Sequence, residues 1–231
     1  MSAGAWAPPP GPTAPLPPSL PPVPHDIVDP ADAAALAGLT DLLGQGQADL
    51  SGLDEADLAL LPTLTRPGMR RGQQLQLPAP GTKEKRSVCA ISDLGEGGLL
   101  WRTDARRCAD QFCAPLTAGA DRSSARGRLA GFLVDTAPSH RVGKTGIVRR
   151  GLDALAGRVV RIFLPSYRPD RQPPERLWRQ WRPNVPHNHT RGQMAQLQAD
   201  SDEWLARMAA QPKAVLQALA LRDRAPARLA A

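Results

Sequence analysis

Residues 158–188, RVVRIFLPSYRPDRQPPERLWRQWRPNVPHN, restrict the fold more than any other part of the chain. Val159 to Leu164 is a short apolar run rich in β-branched residues, the pattern of a buried strand. Pro165 closes it. Pro169, Pro173 and Pro174 then hold an extended loop, because each proline fixes its own φ and disfavours helix in the residue before it. Glu175 follows two prolines, where a helix naturally begins. Leu177, Trp178 and Trp181 recur at helical spacing as an apolar stripe. At about 100° per residue, Glu175 falls near Arg179 and Arg182 and away from the tryptophans. Pro183 is expected to stop the helix after about two turns. A strand, a stiff loop and a short helix therefore deliver one carboxylate beside a basic face.

Two upstream acids stand in comparable settings. Leu129–Asp135, LAGFLVD, reads as a second buried strand ending on an acid. An acid just past the C-terminal end of a central strand is a common metal-ligand position; the alternative is an aspartate capping the next helix. Residues 47–64, QADLSGLDEADLALLPTL, carry Asp54. Gly52 and the acids oppose a strand there. A strand is nonetheless expected, with Asp54 near its middle or end, against the alternative of a solvated acidic turn.

The remaining elements follow from periodicity. A first helix is expected over 30–45, begun at Asp29 or Pro30 and ended by Gly44 and Gly46. Residues 66–86 form a basic loop. Ser87–Leu94 and Gly98–Thr103 read as a β-hairpin. Helices are expected over 105–119, with Ala109, Phe112, Cys113 and Leu116 inward, and over about 142–155, 193–208 and 212–221. The resulting order is strand, strand, strand, helix, strand, helix, strand, helix. It fits an α/β ribonuclease H-like (retroviral integrase-like) mixed sheet flanked by helices.

Leu164, Pro165, Tyr167, Pro169, Asp170, Pro173, Glu175, Arg176, Leu177 and Trp178, with His187 and Asn188 beyond, resemble the end of the catalytic domain of mariner-type transposases in the bacterial insertion-sequence branch. There the pattern is roughly "LPPYSPDLNPIERLW", then "THN". Asp135, Ala137 and His140 match that family's "D–N–A–x–x–H", with Thr136 in place of Asn. Asp54, Glu55, Leu60, Leu61, Pro62 and Leu64 match its first acidic segment. The resemblance spans about residues 30–220 and implies the same ribonuclease H-like fold. It also implies a DDE triad of Asp54, Asp135 and Glu175, serving as both catalytic residues and metal ligands, with two Mg²⁺ or Mn²⁺ ions as cofactors. Phosphodiester cleavage needs charge neutralised on the entering and leaving oxygens, and clustered carboxylates hold the two hard cations that do so.

Charge points to the same class of partner. The chain has 231 residues and 25 prolines, eleven of them in the first 30, too many for a compact fold throughout, so the N-terminus is expected to be extended. Residues 1–29 are read as a disordered Pro-rich segment, 30–222 as the catalytic domain and 223–231 as a frayed tail. Residues 59–231 hold all 29 Lys and Arg against 14 Asp and Glu, a local +15 that should attract polyanions. A solvated arginine-rich surface is the alternative. Arg70, Arg71, Lys83, Lys85, Arg168, Arg171, Arg176 and Arg179 are the candidate DNA-backbone contacts. Double-stranded DNA, at element ends and target, is the expected partner. The resemblance further implies a homodimer and, since no helix-turn-helix pair is found, a separately encoded helix-turn-helix subunit. Cysteines at 89, 108 and 113 lack CxxC spacing, which opposes a zinc site or disulfide framework. With no membrane span and no secretory leader, a bacterial cytoplasmic, nucleoid-associated location is expected.

The function expected is a metal-dependent DNA endonuclease and strand-transfer domain of an insertion-sequence transposase. The alternative is an inactive remnant that keeps the fold and binds nucleic acid non-specifically; Thr136 and Gln172, where the family has Asn, favour it. Gly143-Lys144-Thr145 is not a phosphate loop, because position 138 is Pro. His187-Asn188-His189 has no acid or Cys at ligand spacing and is read as a loop turn.

Overall fold

The computed structural model describes residues 26–27, 33–65, 76–78, 80–107, 109–134, 150–151, 153–155, 157–163 and 173–219. Six strands form one mixed sheet: β1 (Asp26–Ile27), β2 (Ala48–Ala59), β3 (Lys85–Asp93), β4 (Leu99–Asp104), β5 (Leu129–Val134) and β6 (Val159–Phe163). The helices are α1 (Ala33–Gly44), α2 (Ala109–Ser124), α3 (Pro173–Asn184), α4 (Met194–Ala209) and α5 (Pro212–Ala218). Across the sheet the order is β1-β6-β5-β2-β3-β4. β2, β3 and β4 form an antiparallel meander, while β5 lies parallel to β2, and β6 parallel to β5. The mixed sheet flanked by helices is ribonuclease H-like, as expected from the sequence, and β2 to β6 follow one another along the chain in the expected succession, with one short edge strand added ahead of them. That strand falls inside the 1–29 segment: Asp26 and Ile27 pair in parallel with Arg161 and Ile162 of β6.

The central strand is the one with the poorest local credentials. β2 is twelve residues of ADLSGLDEADLA, weak in β-branched and aromatic side chains. It forms because both of its edges are paired: Ser51–Ala59 with β3 and Ala48–Gly52 with β5. Gly52, which argues against a strand locally, is where α3 comes closest. A β-carbon at Gly52 would lie 2.6 Å from the Pro174 ring, so only glycine lets helix and strand meet there. The opposite face has the same device. A β-carbon on Gly119 of α2 would lie 2.6 Å from the Phe132 ring of β5.

Three apolar clusters fill the layers. Ala56, Leu58, Val88, Ala90 and Trp101 pack under Leu177, Trp178 and Trp181 of α3 and Leu197 and Leu205 of α4. Leu53, Cys89, Ile91, Phe132 and Phe163 pack against Phe112 and Leu116 of α2. Leu39 and Leu42 of α1 cover Leu133, Val160 and Ile162. Trp178 and Trp181 meet edge-to-face at 5.4 Å between ring centroids. β6 also carries a buried cation: Arg161 is 1% exposed and lies over the Phe163 ring at 5.2 Å. Periodicity could not flag it inside an otherwise apolar run.

Boundaries moved by a few residues. α2 begins at Ala109 and runs to Ser124, later than the expected 105–119. α3 starts at Pro173 and continues one residue past Pro183 to Asn184, and the Val185 amide still reaches the Trp181 carbonyl at 3.0 Å. A proline in the last turn removes only one late donor. The expected helix over 142–155 lies mostly outside the described residues, as does Gly143-Lys144-Thr145. Among the described residues no helix is long and apolar enough to cross a membrane.

Candidate functional site

Side chains along β2 alternate between the two faces of the sheet, and this separates two adjacent acids. Asp54 pairs across the strand with Ala90, which belongs to the cluster beneath α3. Glu55 pairs with Cys89, which belongs to the cluster beneath α2. Asp54 therefore shares its face with Gly52, where Pro174 rests, and with Ala56, which packs with Leu177 and Trp178. Glu175 follows Pro174 in the first turn of α3. One strand and one helix thus bring Asp54 and Glu175 to the same side of the sheet, close to a single strand–helix contact. Glu55 points the other way and pairs with Arg107 at 3.2 Å.

Each carboxylate already has a partner. The Asp54 Oδ1 accepts the Glu55 amide at 2.8 Å. Both oxygens of Glu175 are held by the Arg182 guanidinium, at 2.8 Å and 3.3 Å. Arg182 lies seven residues on, almost two full turns, which places it directly along the same helix face. Arg179 is exposed.

The third predicted acid, Asp135, lies outside the described residues, as do Arg70, Arg71, Arg168 and Arg171. What is described is its approach: β5 runs parallel to β2, with Leu133 beside Gly52, and ends at Val134. Lys83 and Lys85 are exposed. Arg176 is half-buried and donates to the Leu219 carbonyl at 3.3 Å, tying α3 to the end of α5. Among the described residues no three His, Cys, Asp or Glu side chains cluster closely enough to hold a metal ion. Asp54 and Glu175 offer oxygen donors only, a set suited to hard divalent cations.

The His187-Asn188-His189 turn is a clamp. Asn188 adopts a left-handed φ of 53°, a conformation asparagine tolerates. Its Oδ1 accepts the Thr65 amide at 3.1 Å, and its Nδ2 donates to Thr65 Oγ1 at 2.8 Å. His189 Nδ1 accepts the Arg191 amide at 3.1 Å, so its proton sits on Nε2, which faces the Ala59 carbonyl at 3.4 Å. Burial lowers the pKa of both histidines. For His187 the charge of Arg182 adds to the effect; for His189 the Ala59 contact and Asp200 oppose it. The clamp fastens the segment after β2 to the segment after α3. Sequence reading missed Asn188 as an anchor, because the signal is a contact across 123 residues.

No protein-family model matches the chain, and no curated protein matches it. Solved structures do. The Mos1 transposase paired-end complex with left transposon end matches at 18% identity and a TM-score of 0.55, over 80% of this chain and 56% of that one. The Mos1 mariner paired end complex with Mn matches at 18% identity and 0.56, over the same shares. In fold, the chain is similar to a mariner transposase. The mariner Mos1 paired end complex with Mg matches at 18% identity and 0.55, over 83% of this chain and 58% of that one. The chain spans a little over half the length of the Mos1 chains it matches.

Proposed function

We propose that the chain is the catalytic domain of a mariner-type transposase of the bacterial insertion-sequence branch, with Asp54, Asp135 and Glu175 as its acid set. The observation that carries the reading is the common face of Asp54 and Glu175 in a fold similar to that of Mos1. β5 runs parallel to β2 with Leu133 beside Gly52, and its last residue, Val134, immediately precedes Asp135 in the sequence. Mos1 structures with Mn and with Mg agree with the oxygen-only donors. Two bound Mg²⁺ or Mn²⁺ ions would supply Lewis-acid stabilisation of the entering and leaving phosphodiester oxygens. Asp54 would be held on the central strand, and Glu175 on the first turn of α3, fixed by Pro174 seated on Gly52. Exposed Lys83, Lys85 and Arg179 would meet phosphate oxygens of double-stranded DNA. A separately encoded helix-turn-helix subunit, a homodimeric active form and a cytoplasmic, nucleoid-associated location belong to the same reading.

One observation favours a second reading, a remnant that binds nucleic acid without cutting it: Arg182 occupies both oxygens of Glu175. Nicking of supercoiled plasmid with Mn²⁺ or Mg²⁺ separates the two. The transposase reading expects metal-dependent nicking that is abolished by Asp54→Asn, Asp135→Ala and Glu175→Gln, with salt-sensitive DNA binding retained in each. Nicking that survives these substitutions rejects the site. DNA binding without nicking in the unmutated chain supports the remnant.

A further inference from the structure

Arg182 has no place in the acid set, yet its guanidinium holds both oxygens of one of its members, Glu175. The Glu175–Arg182 pair is bidentate, at 2.8 Å and 3.3 Å. The two side chains are 21% and 35% exposed, so the pair is neither sealed in the core nor freely solvated. Its position is fixed by the helix: Leu177, Trp178 and Trp181 are buried on the other face, which leaves Glu175 and Arg182 stacked along the rim of α3. A carboxylate with both oxygens hydrogen-bonded to a guanidinium cannot also ligate a cation through them without giving up at least one bond. Both side chains keep contact with solvent, so water can take over the hydrogen bonds of the pair when it opens.

We propose that Arg182 is a resident counter-ion that occupies the Glu175 carboxylate until a divalent cation displaces it. The inference rests on the reading of Glu175 as a metal ligand. Arg182 is on this account a positioning residue. It neutralises and orients Glu175 in the metal-free chain, and it sets a threshold for metal loading.

The test is Mn²⁺ binding by the full chain without DNA, read from the free-ion electron paramagnetic resonance signal. Arg182→Gln is expected to bind Mn²⁺ about tenfold more tightly than the unmutated chain, since one charge-assisted bidentate contact no longer competes. Arg182→Lys, which keeps the charge and loses the fork, is expected to fall between the two. Glu175→Gln is expected to bind weakly whether or not Arg182 is present. A merely structural arginine would give equal or weaker binding in both Arg182 variants, each checked for folding by circular dichroism, and that result overturns the proposal. If Glu175→Gln weakens binding while both Arg182 variants match the unmutated chain, the metal site stands and only the counter-ion role fails. If no form of the chain takes up Mn²⁺, the metal-ligand reading of Glu175 fails and the inference falls with it.

Discussion

Pro174 rests on Gly52: the space a β-carbon would need at Gly52 is already filled by the proline ring, at 2.6 Å. This contact sets the distance between the central strand and the helix that carries Glu175. Gly52→Ala is expected to push α3 outward and to destabilise the chain by about 1–3 kcal/mol, the usual range for an overpacked site. Urea denaturation checks the stability; on the transposase reading proposed above, nicking should also fall further than stability alone explains. An alanine variant as stable as the unmutated chain would show that α3 is not seated there.

Trp178 and Trp181 touch each other, yet their indole nitrogens differ. Trp181 Nε1 donates to Ser201 Oγ at 3.1 Å, whereas Trp178 Nε1 has no partner among the described residues. Trp181→Phe would leave a fully buried serine hydroxyl unpaired. It is expected to cost about 1–3 kcal/mol more than Trp178→Phe in chemical denaturation. Equal losses would mean that ring volume alone decides.

The clamp at Asn188 combines a backbone conformation with two side-chain hydrogen bonds. Asn188→Gly keeps the left-handed φ and loses the bonds; Asn188→Ala loses both features. The glycine variant is expected to lose about 1 kcal/mol for this exposed pair, and the alanine variant about 1 kcal/mol more for the strained φ. Thermal unfolding of the two variants separates the terms.

Acid should loosen the same region. Burial holds His187 and His189 below the ordinary histidine value, so in the folded chain they take up protons at lower pH than in the unfolded chain. Their contribution is therefore fully present above the unfolded value of about 6.5 and is lost as pH falls from there through the folded values. The unfolding temperature is expected to be level from about pH 8 to 7 and to decline below about 6.5. A His187→Gln, His189→Gln variant should show a shallower decline. An identical slope would assign the acid sensitivity to carboxylates.

The apolar runs 129–134 and 159–163 were legible because buried parallel strands need little beyond continuous hydrophobicity. The helix at 173–184 was legible because its prolines, tryptophans and arginines each have a fixed place on a 3.6-residue turn; the expected nearness of Glu175 to Arg182 became a bidentate pair. β2 was harder to read. Its strand character comes from β3 and β5, so Gly52 weakened the local signal at the point where the tertiary contact required it. Alternation was enough to separate Asp54 from Glu55, but which face met α3 depended on packing. Arg161, Asn188 and the strand at Asp26–Ile27 owe their positions to partners distant in sequence, and nothing local announces them.

That two-residue strand matters beyond its length. Without Asp26 and Ile27, the outer amides and carbonyls of β6 would stand open beside Arg161 and Ile162. An open border of this kind accepts any extended peptide, including another copy of the same chain. A shortened protein beginning after Ile27 would keep its acids and its helices, and would acquire a sticky seam.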